Sequence, residues 1–302
     1  MTYLRAQRDR LGEADRAVRC ADPDGAFDLR AAVRRTRAAL RTYRPLVEDP
    51  DLVTELIDEL RWLGREVSAL RDAQVARERI TAALAELDDG LWRGPVHTRA
   101  LRYFERAEAR AQATLFEALD SARWAAVRDK VDALNDDPPL TDLAARPAPD
   151  GLLVHLRVTA RMLAEAVHRG DTSDAGLHAI RKVARHLRES ALVARPVVGR
   201  PAKRFDRRLE KFRRLLGEHQ DSVVSRRALD ELVTEADLAG ESAFAFGVLY
   251  GRESARAEAV RATLPRYWRK AWRPEHLDWL DAELAEPRTA HTPAGPRPDG
   301  SD

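Results

Sequence analysis

Arg30, Arg34, Arg37, Arg41 and Arg44 recur at spacings of four and three residues. A guanidinium is a planar fork of five donors that can bond two oxygens of one phosphate or carboxylate. No acid occurs between Asp28 and Glu48. If this stretch is helical, five cations share one line without acidic neighbours one turn away, and like charges so placed repel. An ordinary solvated face mixes its signs, as Glu105, Arg106, Glu108 and Arg110 do. A line of uncompensated guanidiniums suits the capture of an extended polyanion better than the making or breaking of bonds.

The pattern occurs again. His178, Arg181, Lys182, Arg185 and Arg188 form a second basic run, in which Arg181, Arg185 and Arg188 lie 151 residues after Arg30, Arg34 and Arg37. A third run contains Arg204, Arg208 and Lys211, with Arg207 and Arg214 pointing further out. Arg offers bidentate hydrogen bonds, Lys182 and Lys211 offer point charges, and His178 adds charge below about pH 6.5.

Catalytic patterns are absent. The chain has neither a Gly-x4-Gly-Lys-Ser/Thr loop nor a His-Glu-x-x-His helix. Asp72 and Asp221 stand apart from other acids, as partners for Arg or for backbone caps. His178 and His186 are eight residues apart, too far along a helix to share a metal, and His155, His168, His219 and His276 lack ligand spacing. The expectation is no catalytic residue, no metal and no cofactor.

Helices must carry these runs. Ala, Leu, Arg and Glu dominate, and apolar residues recur at three- and four-residue spacing. Leu29, Val33, Thr36, Leu40, Tyr43 and Val47 form an apolar stripe, and the Arg line follows it one residue later, about a quarter turn away. Leu177, Ile180, Ala184, Leu187 and Ala191 repeat this beside the second run, and Phe205, Leu209, Phe212 and Leu216 beside the third. Breakers at Asp22–Gly25, Glu48–Pro50, Asp88–Gly90, Asp136–Leu140, Pro147–Gly151, Gly170–Gly176, Pro196–Pro201, Asp237–Gly240 and Pro265 cut the chain into eight to ten helices.

The longest interruption, Asn135 to Gly151, divides two portions that read as copies. Leu63-Gly64 through Asp72 resembles Leu216-Gly217 through Asp221, and Phe104-Glu105-Arg106 resembles Tyr250-Gly251-Arg252, in the same order as the basic runs. The sequence therefore predicts an all-α fold made of a first helical bundle over residues 1–146 and a second over 147–286. The tail 287–302, with four prolines and two glycines, is expected to be disordered.

The 302 residues carry 52 Lys and Arg against 50 Asp and Glu, a net charge of +2. That total hides segregation. Arg30–Arg44 holds +6 and Leu177–Leu216 holds +10, so the remainder must hold −14. Codon bias accounts for Arg outnumbering Lys by 47 to 5, but not for the exclusion of acids from the first run. Cys20 is the only cysteine, which rules out an internal disulfide. No apolar run is long enough to span a membrane, and the charged N-terminus does not read as a signal peptide. The cytoplasm is the expected compartment.

Leu177-His178-Ala179-Ile180-Arg181-Lys182, continuing through Arg185, His186, Leu187 and Arg188, together with the Leu-Arg-Asp-Ala-Gln-Val and Leu-Gly-Glu-His-Gln-Asp stretches, resembles the conserved histidine α-helical domain (CHAD) family. The resemblance covers roughly residues 1–285. It implies two pseudo-symmetric four-helix bundles forming one compact unit, with a basic central cavity that binds inorganic polyphosphate. It also implies that sulfate or phosphate ions can occupy that cavity in crystals, and it leaves association with polyphosphate granules open. No Glu-x-Glu-x-Lys signature of a fused triphosphate-processing domain is visible, so the chain resembles a stand-alone member.

Two departures stand out. Phe27 occupies the position of the first-half histidine, and Glu55 and Glu59 occupy those of Arg204 and Arg208. The cavity should be lopsided, with its second half more basic. Binding of a nucleic-acid backbone is the main alternative, although the basic stripes carry few aromatics for stacking. An accessory role beside a polyphosphate-metabolising enzyme is another, and phosphoryl transfer by the chain itself is a third. The six tryptophans read as packing at helix ends.

Overall fold

A computed structural model describes residues 2–145, 149–276 and 278–279. The expected tail 287–302 and the boundary between residues 146 and 147 lie outside the described residues. The described residues form nine α-helices: α1 (Thr2–Arg19), α2 (Gly25–Tyr43), α3 (Pro50–Ala85), α4 (Val96–Asp120), α5 (Ala122–Asp136), α6 (Pro149–His168), α7 (Asp174–Val198), α8 (Arg200–Leu238) and α9 (Phe244–Ala271). They contain no strand, only an isolated bridge between Val47 and Leu140. The fold is all-α.

Several helix boundaries follow from local chemistry. Asp49 caps α3 by accepting from the N–H groups of Asp51 and Leu52, with Pro50 at the first helical position, where its missing N–H costs nothing. Ser173 caps α7 through the N–H of Gly176. Gly199, at φ 73°, is the single residue between α7 and α8; its left-handed backbone turns the chain where a side chain would be strained. The break expected over Pro196–Pro201 falls at Gly199, whereas the one expected at Pro265 is absent; Pro196 and Pro265 lie inside α7 and α9, each within two turns of the C-terminal end. Few intrahelical bonds remain to be lost there, and packing outweighs the cost.

Each helix packs on its successor within the series α1–α4 and α6–α9. Across the two series, α2 packs on α7 and α3 on α8. The buried clusters run across this division. One joins Leu29, Leu40, Leu60 and Trp124 with Leu156, Leu187, Phe205 and Phe212. The other joins the distal ends of α3 and α4 (Ile80, Leu84, Phe104) to those of α8 and α9 (Leu229, Leu232, Phe246). The long helices α3 and α8 pass through both clusters. Each fully buried Leu or Phe contributes about 1.5–3 kcal/mol of transfer free energy, so both halves depend on shared apolar surface.

Candidate functional site

α2 is buried on two sides. Leu29, Val33, Thr36 and Leu40 face one way, and Ala31, Ala38 and Thr42 another. The Arg line lies between these faces, at about 80–140° from Leu29 on the helical wheel. The small side chains of the second face allow close helix packing, which leaves the guanidiniums at the mouth of a cleft rather than on an open surface.

That cleft, about 320 Å³, lies between α2, α3 and α7. α2 contributes Arg30, Arg34, Arg37 and Arg41. α7 contributes Lys182, Arg185, His186 and Glu189, and α3 contributes Arg61, Gly64 and Ser68. Among the described residues, seven cations thus line it against one acid. From Arg30 to Arg41 the α2 line extends about 16 Å at 1.5 Å per residue.

Tertiary partners appear where the local sequence offers none. Arg34 Nε donates to Glu189 Oε1 at 2.8 Å, and Arg30 Nη1 to Asp72 Oδ1 at 3.3 Å. Arg37 and Arg185 have no ion-pair partner among the described residues, and Arg37 Nε is buried without an acceptor. Burial, reinforced by Arg41 and Arg61, lowers Arg37 to about 10. Burial, reinforced by Arg181, Arg34 and Arg30, lowers Arg185 to about 9. Burial also lowers Arg41, as does its neighbour Arg61. The protein has gathered cations without providing matching anions, so a ligand anion would stabilise each of them.

One glycine makes room for a guanidinium: a Cβ on Gly217 would stand 3.0 Å from Arg181 Nη1. Arg181 lies beside the cleft rather than in its lining. Burial lowers its pKa against the opposing pull of Asp221.

The other sequence-derived candidates lie elsewhere. His178 is half-buried, its Nδ1 2.5 Å from Gln220 Oε1. Arg188 sits 4.0 Å from both Glu189 Oε1 and Asp206 Oδ1. Arg204, Arg208 and Lys211 are exposed on α8 and do not line the cleft; Lys211 Nζ lies 4.8 Å over the ring of Tyr267. The first-half counterparts Glu55 and Glu59 pair with Lys130 and Arg123 of α5. Phe27 is exposed, with the Arg71 guanidinium 5.9 Å from its ring centroid.

Sequence reasoning missed Arg61, His186 and Glu189 as cleft residues. It also missed the packing of His155 against His186 edge to face, with ring centroids 5.6 Å apart. Both Nε2 atoms are buried without partners among the described residues. Burial and then Arg41 lower His186 to about 4, and the same causes lower His155. No group of three or more His, Cys, Asp or Glu among the described residues is arranged to hold a metal. No described helix is long and apolar enough to cross a membrane.

The CHAD domain sequence profile matches residues 2–230, so the chain belongs to the CHAD family. Two curated relatives from Mycobacterium tuberculosis, the uncharacterized proteins MT2285 (strain CDC 1551 / Oshkosh) and Rv2226 (strain ATCC 25618 / H37Rv), are 31% identical over 261 residues, 85% of this chain. The chain spans about half the length of these relatives. Among solved structures, PptA from Streptomyces chartreusis superposes with a TM-score of 0.75 at 28% identity, covering 89% of this chain and 97% of PptA. The CHAD domain from the plant Ricinus communis superposes with a TM-score of 0.60 at 20% identity, covering 95% of this chain and 90% of that one, a likeness of fold.

Proposed function

We propose that this CHAD-family chain binds inorganic polyphosphate, without catalysis, in the cleft between α2, α3 and α7. The carrying observation is the crowding of seven cations around one acid, with Arg37 and Arg185 pushed well below the ordinary Arg value. Polyphosphate carries regular charge and no bases, so it needs a line of cations rather than a reading surface. A helix presents a residue on one face every 5–6 Å, and Arg30, Arg34, Arg37 and Arg41 supply such a line. We read the two halves as copies related by a pseudo-twofold, a reading supported by their shared packing order. A cytoplasmic site at polyphosphate granules fits this function.

Titration calorimetry with long-chain polyphosphate tests the reading. Arg34→Glu combined with Arg185→Glu should abolish binding, since each change replaces an attraction by a repulsion. Unchanged binding by the double variant removes the cleft assignment. The exposed run Arg204, Arg208 and Lys211 favours nucleic acid as a second reading. Competition at matched phosphate concentration separates the two: polyphosphate should displace DNA and RNA, not the reverse.

A further inference from the structure

Among the described residues Glu189 is the one acid lining the cleft, and it is placed where an acid should weaken polyanion binding. Its side chain is 2% exposed. Oε1 accepts from Arg34, while Oε2 is buried with no hydrogen-bond partner among the described residues. A buried carboxylate oxygen without a donor is costly, and the cations nearby offer many donors that do not reach it. Oε2 therefore lacks a donor among the described residues.

We infer that Glu189 selects a phosphate that still carries a proton, so that the cleft takes the end of a polyphosphate chain rather than its interior. This rests on the functional reading above. An interior phosphate unit has a single strongly acidic hydroxyl and is fully ionised at neutral pH, with no proton to give. A terminal phosphate has a second ionisation near pH 6, as phosphate monoesters do, so its protonated form is available near neutrality. Its O–H donates to Glu189 Oε2 while its remaining oxygens accept from Arg34 and Arg185. Oε2 is buried, so the O–H reaches it only if the Arg34 guanidinium, bonded to Oε1 of the same carboxylate, shifts toward the bound phosphate. An interior unit or a sulfate meets the same carboxylate with no donor, and lone pairs then face lone pairs.

Hydrogen phosphate and sulfate make the cleanest comparison, because they share charge and tetrahedral shape and differ in that proton. Each is used to displace linear tripolyphosphate from the full-length chain, followed by calorimetry at pH 7. Phosphate should compete at a concentration about tenfold or more below sulfate, the size expected of one hydrogen bond to a charged group. Glu189→Gln should bring the ratio close to one, because its amide can donate to either anion. Linear tripolyphosphate should likewise lose its advantage over cyclic trimetaphosphate, which has no ends, in the variant. Equal competition by phosphate and sulfate in the wild-type chain overturns the inference, without recourse to any variant. So does a Glu189→Gln variant that tightens on all anions alike, which marks Glu189 as a simple counter-ion. If long-chain polyphosphate fails to bind the wild-type chain, the functional reading falls, and this one with it. If it binds and the two small anions do not differ, only the chain-end inference is lost.

Discussion

Arg185 should be a residue whose loss makes the free protein more stable and its ligand complex weaker. It is largely enclosed, and burial together with Arg181, Arg34 and Arg30 pulls it down to about 9 from 12.5. At about 1.4 kcal/mol per pH unit, holding its charge among these neighbours costs roughly 5 kcal/mol relative to water. Side-chain relaxation and water in the cleft reduce what a mutant recovers, as does the lost packing of the Arg stem. Arg185→Gln should therefore raise unfolding stability by about 1–2 kcal/mol at pH 7. The same change removes a charge-assisted bond to phosphate, about 1.5–3 kcal/mol, so polyphosphate affinity should fall roughly tenfold or more. Urea unfolding followed by tryptophan fluorescence gives the first quantity and calorimetry the second. The opposite signs are the test. A destabilised variant with undiminished affinity would mean that Arg185 is a structural residue and that the crowding argument is wrong.

Four further outcomes follow from the same geometry. Because His186 is held near 4 in the folded chain against about 6.5 unfolded, the unfolded chain takes up its proton first. The free protein should lose roughly 3 kcal/mol of stability from this group as pH falls from 6.5 to 4, and His186→Gln should flatten that loss in acid-titrated unfolding curves. Bound phosphate raises His186, so polyphosphate affinity should rise over the same window, read as proton uptake by calorimetry in buffers of different ionisation heat. If about six of the seven lining cations engage phosphate, the logarithm of the binding constant should fall against log salt with a slope of about −4, by analogy with single-stranded nucleic acids; a slope near zero excludes a polyanion. Gly64→Ala should stabilise α3 by up to about 1 kcal/mol in thermal unfolding. Its new Cβ meets Val33 Cγ1 at 3.4 Å, an ordinary contact, and a helical Gly is poorer than Ala by that amount.

The sequence alone determined the helices, their buried faces and the basic line on α2. These depend on short-range geometry: the spacing of Leu29, Val33, Thr36 and Leu40, the cap at Asp49, and the exclusion of acids between Asp28 and Glu48. The same periodicity identified Phe205, Leu209, Phe212 and Leu216 as core, and all four are buried. Periodicity says which side of a helix faces inward. It does not say which other helix waits there. Only the tertiary structure brought Glu189 to Arg34, 155 residues away, and His155 to His186. It also turned α7 so that Lys182, Arg185, His186 and Glu189 face α2, while Arg181 and Arg188 point to its sides. The exposed run at Arg204 and Arg208 looked equivalent to the α2 line because both are strings of cations one step from an apolar stripe. What separates them is a facing helix. α7 packs on α2 and encloses its arginines, so that Arg37 and Arg41 are desolvated among other cations, whereas the α8 cations stay in water.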